Sequence, residues 1–180
     1  MALADLLALP AANVLDVGCG EGRNAIYLAN RGAAVEGVDV SMAALANGRM
    51  ACPDEAAITW RRADILTMPL DTRYDAVLAC SVFHWLAGES EIAAALRRLK
   101  EAVRPGGLHA VVAFNDRLPY VADNAPRQPV LLSHEWYVDK YADWTFITVT
   151  DTDSIHTHPG EEEPHAHSIT RITARRPGSG

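Results

Sequence analysis

Short apolar runs alternate with helical stretches over the first two-thirds of the chain. Residues 91–103 give the clearest helical pattern, because Ile92, Leu96 and Leu99 recur on one stripe among charged residues. Strands that alternate with helices indicate a parallel sheet covered on both faces. The pattern predicts strands over 13–17, 34–40, 58–61, 74–80 and 108–114, and helices over 24–31, 42–50 and 91–103.

The last third of the chain has a different character and holds most of the ten prolines. Two strands joined by a polar connection make a hairpin, so we expect the sheet to end antiparallel. The predicted fold class is α/β, with a doubly wound, mostly parallel sheet of seven strands that ends in an antiparallel hairpin. The pattern here predicts a loop over 117–129, a short helix over 133–141, a strand over 144–150, a polar connection over 151–164 and a strand over 167–174.

The composition is that of a globular protein. Hydrophobic residues make up 49% and charged residues 22% of the 180 positions, which excludes a disordered or a collagen-like chain. We expect one domain over 1–176, with little chain ahead of the first strand. Within it, the pattern separates a core over 13–114 from a variable loop, helix and hairpin over 115–176, followed by a tail over 177–180.

The net charge and the N-terminal sequence limit the classes of partner and the location that we expect. The net charge of −7 argues against nucleic acid and anionic membranes, because a cationic surface is what both attract. No apolar stretch reaches the ~20 residues of a membrane helix, and the apolar start lacks the basic residues of a signal peptide. Three cysteines at unrelated spacings form neither a disulfide framework nor a zinc knuckle. We therefore expect a cytoplasmic monomer or weak dimer that acts on a small molecule.

A glycine-rich loop after the first strand carries the strongest functional signal. Residues 16–22 read D-V-G-C-G-E-G, with an acid at the end of the strand and a second acid inside the loop. Glycines let the backbone turn tightly and approach a ligand closely. A phosphate-binding lysine is missing, and Arg23 stands where a dinucleotide loop has its third glycine. The acids suit a ligand that carries a cationic ammonium or sulfonium group.

The next two strands also end in acids. Asp39 follows the glycine-rich loop at close to the ~20-residue offset at which a carboxylate binds ribose hydroxyls. Asp64 follows the third strand, and its carboxylate can accept a hydrogen bond from the exocyclic amino group of an adenine. Because the carboxyl ends of parallel strands meet at one edge, where open α/β sheets bind ligands, the sequence predicts a nucleoside-like site there.

Residues 13–114 resemble a class I S-adenosylmethionine-dependent methyltransferase. The resemblance rests on LDVGCGEG at 15–22, GVDVS at 37–41, ADI at 63–65, YDAV at 74–77 and RPGG at 104–107. The last third is similar, more loosely, to the tellurite-resistance group of small methyltransferases, through GRN at 22–24, EWY at 135–137, Trp144, a histidine-bearing connection and ARR at 174–176. Both resemblances imply the seven-strand sheet with its reversed final hairpin.

The resemblance implies S-adenosylmethionine as the cofactor, S-adenosylhomocysteine as its product, and a role for each site residue. The loop glycines would line the methionine and ribose part, and Asp16 would face the amino group. Asp39 would hold the ribose diol, while Asp64 and Ile65 would hold the adenine. The implied cofactor-binding set is Asp16, Gly18, Cys19, Gly20, Gly22, Arg23, Asp39, Val40, Asp64, Ile65, Cys80 and Ser81.

Three members of this set have narrower assignments. Cys80 and Ser81, at the end of the fourth strand, would flank the donor sulfonium by the same resemblance. Arg23 lies in a first helical turn, where a base opposes the helix dipole, so we expect an anionic partner such as the cofactor carboxylate. A simpler explanation of the cysteines is that they are small residues buried by packing.

His84 follows the fourth strand, where methyltransferases often face their substrate. A neutral imidazole there can take a proton from an acceptor hydroxyl or amine. A structural histidine beside Phe83 and Trp85 explains the sequence equally well. Catalytic and structural roles therefore both stay open.

A second group of histidines lies in the final connection. His156 and His158 precede, and His165 and His167 follow, the acidic run at 161–163. Such residues can hold zinc, but incidental histidines in a polar loop are commoner, and we expect no metal. The resemblance offers a third role, in which His156 assists methyl transfer.

The predicted reaction is SN2 transfer of the methyl group from the sulfonium to an O, N, S, C or chalcogen atom of a small acceptor. Catalysis would come mainly from proximity and alignment. Two alternatives remain. A nucleotide-linked oxidoreductase uses a similar sheet, although acids beside the loop disfavour a pyrophosphate. A non-catalytic module that binds S-adenosylmethionine or a metal would share the same motifs.

Overall fold

The computed structural model describes residues 11–52, 57–118, 128–156 and 165–178, which contain one seven-stranded sheet. The strands are β1 (Asn13–Val17), β2 (Ala34–Asp39), β3 (Ile58–Arg62), β4 (Tyr74–Cys80), β5 (Val103–Phe114), β6 (Thr145–His156) and β7 (His165–Arg175). Their order across the sheet is β3-β2-β1-β4-β5-β7-β6. The first five run parallel, and β7 is antiparallel to both of its neighbours. The predicted fold class is confirmed.

The helices begin where local sequence favours them. They are α1 (Arg23–Ala29), α2 (Met42–Ala51), α3 (Glu89–Ala102) and α4 (His134–Asp139), with a short 3₁₀ turn over Phe83–Trp85. Ser41 caps α2, since its hydroxyl accepts the Ala44 N–H at 3.2 Å. Within the described ranges, none of the helices has the length and apolar character needed to cross a membrane.

Each face of the sheet buries an apolar layer, and β1 contributes to both. Leu15 packs in the layer beneath α3 and α4, whereas its neighbour Val14 packs in the layer beneath α1. Successive strand residues point to opposite faces, so a strand buried on both faces must be apolar throughout. The helices therefore cover the faces and leave the carboxyl ends of the parallel strands open.

The C-terminal hairpin is longer than the sequence pattern predicts. β6 continues through Asp151 and Asp153 to His156, although these positions are predicted in the connection. The two acids lie on one face of the strand, and Arg117 forms ion pairs with them at 2.8 and 2.6 Å. A cation shared by both acids lets them remain in the ladder with β7. The predicted strand boundaries are wrong here.

The Pro105-Gly106-Gly107 turn is predicted to separate a helix from a strand that begins at Leu108, but β5 begins at Val103. The backbone explains the difference. The Gly106 N–H donates to the Arg176 carbonyl at 3.0 Å, and the Arg176 N–H donates to the Gly107 carbonyl at 2.9 Å. These bonds hold the glycines in the sheet despite the breaking sequence.

Candidate functional site: a cavity at the carboxyl edge of the sheet

A cavity of about 610 Å³ opens where β1, β2, β3 and β4 end. We call it the cofactor cavity. Its wall consists of Gly18, Asp39, Val40, Ala63, Asp64, Ile65, Leu66, Ser81, Val82, Trp85, Leu86, Ala87 and Glu91. Six residues that sequence motifs predict for the cofactor thus meet at one cavity: Gly18, Asp39, Val40, Asp64, Ile65 and Ser81. The other six, Asp16, Cys19, Gly20, Gly22, Arg23 and Cys80, lie outside its wall.

Asp16 is a buried acid that forms no ion pair with the residues that the structure describes. Its side chain is 1% exposed, and neither carboxylate oxygen makes a hydrogen bond of normal geometry within the described residues. Burial raises its pKa to about 7, the Ala25 N–H opposes this rise, and the charge of Asp39 adds to it. A buried carboxylate of this kind is costly unless a cationic group compensates it.

Asp39 ties the glycine loop to β2. One carboxylate oxygen accepts the Gly20 N–H and the other accepts the Ser41 N–H, each at 2.8 Å. Because each carboxylate oxygen has two acceptor sites, both can still accept a ligand hydroxyl. Asp39 therefore supports the loop and also lies on the cavity wall, where its carboxylate can accept further hydrogen bonds.

Asp64 organises the turn after β3. Its carboxylate accepts the Leu66 N–H at 2.8 Å, and its carbonyl accepts the Met68 N–H at the same distance. The turn places Ile65 and Leu66 on the cavity wall, opposite the exposed Val40. An acid beside an apolar surface suits a flat base with a polar edge.

Two glycines of the loop have different reasons to lack a side chain. Gly18 has φ +63°, and a Cβ there would lie 2.7 Å from the Val82 side chain at the cavity wall. Gly22 has φ +80°, and a Cβ there would lie 2.1 Å from the ring of Trp60. Trp60, which the sequence analysis does not single out, thus accounts for Gly22 by packing rather than by ligand contact.

The thiols beside the site are poor nucleophiles. Burial first, and then the charge of Asp16, raise the pKa of both Cys19 and Cys80 to about 12. Arg23 begins α1 with an exposed side chain, and its charge lowers the pKa of Cys80 in part. The structure gives the cysteines the properties of small packing residues.

Ser81 holds an unusual backbone conformation at the cavity. Its φ of +57° lies in the left-handed region that favours glycine. Its N–H donates to the Val112 carbonyl at 2.8 Å, which fixes the turn after β4. Strain of this kind persists where surrounding structure imposes it, and it is common at ligand sites. The same turn places the half-exposed indole of Trp85 on the cavity wall.

His84 lies in the same turn but outside the wall. Its ring stacks on Phe114 with centroids 4.4 Å apart, and Phe114 stacks in turn on His167 at 4.2 Å. Burial lowers the pKa of His84 to about 4, and His167 lowers it further, so the ring stays neutral at physiological pH. Its Nδ1 is buried and has no partner within the residues that the structure covers.

His156 ends β6 opposite His165, at the open edge of the sheet. β5 ends at Phe114, which pairs with Ile169, so the hairpin extends past it on the same edge as the cofactor cavity. The side chains of His156 and His165, together with His158 and residues 161–163, lie outside the described part of the chain. Within that part, no three metal-ligating side chains cluster.

A polar network that sequence patterns do not reveal joins Asn115, just after β5, to the start of α4 through the C-terminal hairpin. The Asn115 side chain donates to Asp151 at 2.9 Å and to the Thr170 hydroxyl at 3.0 Å. His134 Nδ1 lies 3.1 Å from the same hydroxyl. These partners are far apart in sequence, which explains why no local pattern predicts them.

The fold and the site together define a class I S-adenosylmethionine-dependent methyltransferase domain. A family model described as a methyltransferase domain matches residues 14–107, which is more than half of the chain. The chain belongs to this family.

Individual relatives support the same class. An uncharacterized methyltransferase of Mycobacterium tuberculosis is 39% identical over 102 residues, which are 56% of this chain and 50% of that protein. The malonyl-[acyl-carrier protein] O-methyltransferase of Pseudescherichia vulneris is 38% identical over 104 residues, or 57% of this chain and 38% of that protein. The chain spans about half the length, or less, of these curated relatives.

A solved structure shares the fold across nearly the whole chain. TehB from Haemophilus influenzae superposes with a TM-score of 0.81 at 24% identity, covering 96% of this chain and 59% of that one. The similarity extends to the C-terminal hairpin, as the sequence resemblance to the tellurite-resistance group implies.

Proposed function

We propose that this protein binds S-adenosylmethionine in the cofactor cavity and methylates a small molecule. The observation that carries the proposal is the convergence of Asp39, Asp64 and an apolar wall next to the buried carboxylate of Asp16. These groups match a ligand with a ribose diol, an adenine and an ammonium group. The residues therefore fit the cofactor that the family implies.

The chain would contribute binding and alignment rather than a covalent step. S-adenosylmethionine supplies, when bound, an electrophilic methyl group, which would pass from the sulfonium to the acceptor atom as the carbon–sulfur bond breaks and S-adenosylhomocysteine leaves. Asp39 would accept the ribose hydroxyls, and Asp16 would compensate the ammonium charge. Val40, Ile65 and Leu66 would exclude water from the adenine. Holding two reactants in line can supply most of the rate enhancement that such a transfer needs.

The proposed acceptor is a small molecule. The net charge of −7 disfavours polyanionic acceptors such as nucleic acid. One relative is by name a malonyl-[acyl-carrier protein] O-methyltransferase and another a trans-aconitate 2-methyltransferase, and both names are consistent with small acceptor groups. A location in the cytoplasm and a monomeric or weakly dimeric state remain predictions from the sequence.

Calorimetric titration tests the cofactor directly. We expect S-adenosylhomocysteine to bind with a micromolar Kd and NAD(H) to give no signal. Binding of NAD(H) without S-adenosylhomocysteine would refute the proposal and favour the oxidoreductase. A panel of acceptors with methyl-labelled cofactor then tests turnover, and binding that persists without any turnover would favour a non-catalytic module.

Asp39→Ala is expected to weaken S-adenosylhomocysteine binding by roughly 1.5–3 kcal/mol, because it removes hydrogen bonds from ribose hydroxyls to a charged group. It also frees the Gly20 N–H, so a lower melting temperature should accompany the loss. Calorimetry and thermal melts measure the two effects. The exposed Asp71→Ala variant is the matched control, and an Asp39→Ala affinity within twofold of the wild type would refute the assignment.

The two candidate histidines should separate by their effects. His156→Ala is expected to abolish activity and keep cofactor affinity, because His156 would assist methyl transfer to the acceptor without contacting the cofactor. His84→Ala is expected to lower the melting temperature, because it removes a ring stacked on Phe114. Elemental analysis of tag-free protein completes the test: near-stoichiometric zinc, lost together with activity on chelation, would show that the histidines bind a metal instead.

A further inference from the structure

A second cavity, of about 620 Å³, lies at the opposite edge of the sheet from the cofactor cavity. We call it the basic cavity. Four parts of the chain form it: α3, Pro105 in β5, the turn after α4 and the residues after β7. Arg175, which precedes this last part, pairs with Leu108 near the start of β5, so the cavity lies at the amino end of that strand. The cofactor cavity lies at the carboxyl ends.

The charge of the basic cavity is opposite to that of the chain. Four cations line it, namely Arg97, Lys100, Lys140 and Arg176, against the two acids Glu101 and Asp143. The whole chain carries a net charge of −7. Cations gathered from three separate segments in an acidic protein create a local positive potential inside a concave surface.

Two of these cations are fixed in place by the fold. Lys100 donates to the Lys140 carbonyl and to the Asp143 carboxylate, the latter at 2.9 Å. Arg176 donates through one nitrogen to the carbonyls of Glu101 and Val103 at the end of α3. A guanidinium has five N–H donors, so Arg176 keeps others for a ligand. Preorganised donors lower the entropic cost of binding.

The other two cations have no carboxylate partner among the residues that the structure describes. Arg97 forms no ion pair within the described ranges, and Lys140 places its ammonium 4.5 Å from the ring of Trp136. A base near the end of a helix also complements its dipole, which accounts for Lys100 in the last turn of α3 and for Lys140 at the C-cap of α4. It does not account for Arg97, which lies more than one turn before the end of α3, or for Arg176, which follows β7.

The rest of the wall is apolar, with Leu96, Pro105, Trp144 and Pro177 as its main members. We propose that the basic cavity binds a small organic polyanion whose phosphate or carboxylate groups contact Arg97, Lys140 and Arg176. Its carbon skeleton packs on Trp144 and Pro105. A volume of about 620 Å³ is that of a small-molecule site. This site is separate from the methyl-transfer site and does not depend on the cofactor proposal.

Calorimetry with pyrophosphate and with citrate, at matched ionic strength, tests the site. We expect at least one anion to bind with 1:1 stoichiometry and a Kd below about 1 mM, and the two probes distinguish phosphate from carboxylate recognition. Arg97→Gln and Lys140→Gln should each weaken binding about tenfold. Neither side chain supports the sheet, so both variants should fold normally.

Arg73→Gln is the matched control, because it removes one exposed cation outside the basic cavity. Its affinity for the anion should stay within twofold of the wild type, and saturating S-adenosylhomocysteine should leave the anion affinity unchanged. The proposal is overturned if neither anion binds, if the control weakens binding as much as Arg97→Gln, or if S-adenosylhomocysteine displaces the anion.

Discussion

Asp16→Asn is expected to reduce S-adenosylhomocysteine affinity by tenfold or more and, at the same time, to make the unliganded protein more stable at pH 8. The carboxylate of Asp16 is buried without a hydrogen-bond partner in the described residues, so its charge destabilises the empty protein. The same charge would favour a ligand ammonium. One substitution should therefore move affinity and stability in opposite directions.

The raised pKa of Asp16 determines in which direction the stability of the folded protein changes with pH. Burial raises the pKa of Asp16 from 3.8 to about 7 in the folded protein. The folded state thus holds a proton that the unfolded state loses, and stability from this group falls as pH rises from 3.8 towards 7. The melting temperature of Asp16→Asn relative to the wild type should accordingly rise between pH 4 and pH 8, as thermal melts across this range will measure.

Ligand affinity should change with pH in the opposite sense. Below pH 7 the protonated Asp16 cannot compensate an ammonium, so the wild-type Kd for S-adenosylhomocysteine should fall about tenfold per unit as pH rises towards 7. Asp16→Asn should show no such slope, and the exposed Asp71→Asn should keep it. An Asp16→Asn variant with wild-type affinity and the wild-type slope would disprove the role of this carboxylate.

Gly22→Ala is expected to be the most destabilising single-methyl change in the loop. The new Cβ would lie 2.1 Å from the Trp60 ring at a φ of +80°. Backbone strain and overpacking together should cost roughly 2–5 kcal/mol. Thermal and chemical denaturation measure the loss.

Gly20→Ala is the matched control, since its φ is +56° but, apart from its chain neighbours, no heavy atom of the described residues lies within 4 Å of the added Cβ. Only the strain of roughly 1–2 kcal/mol should remain there. Adding Trp60→Phe to Gly22→Ala should recover part of the stability, because the smaller ring does not reach the new methyl group. Equal losses at Gly20 and Gly22, with no recovery in the double variant, would mean that Trp60 does not account for Gly22.

The sequence by itself determined the sheet, the nature of the loop and the edge where ligands bind. Alternating apolar runs and helices predict β1–β5, because a strand buried on both faces has to be apolar throughout. Asp39 and Asp64 follow successive strands, and parallel topology alone brings such residues to one edge. The cap at Ser41 is equally local, since one hydroxyl and one nearby N–H suffice.

Only the tertiary structure decided the burial, the packing and the pKa values of the residues at the site. The raised pKa of Asp16, the packing of Trp60 on Gly22 and the burial of His84 each depend on side chains brought together from distant segments. The extension of β6 to His156 depends likewise on Arg117, which lies far away in sequence. The basic cavity needs four segments at once. Local patterns report periodicity and spacing, whereas burial and charge pairing are set by long-range contacts that form only when the chain folds.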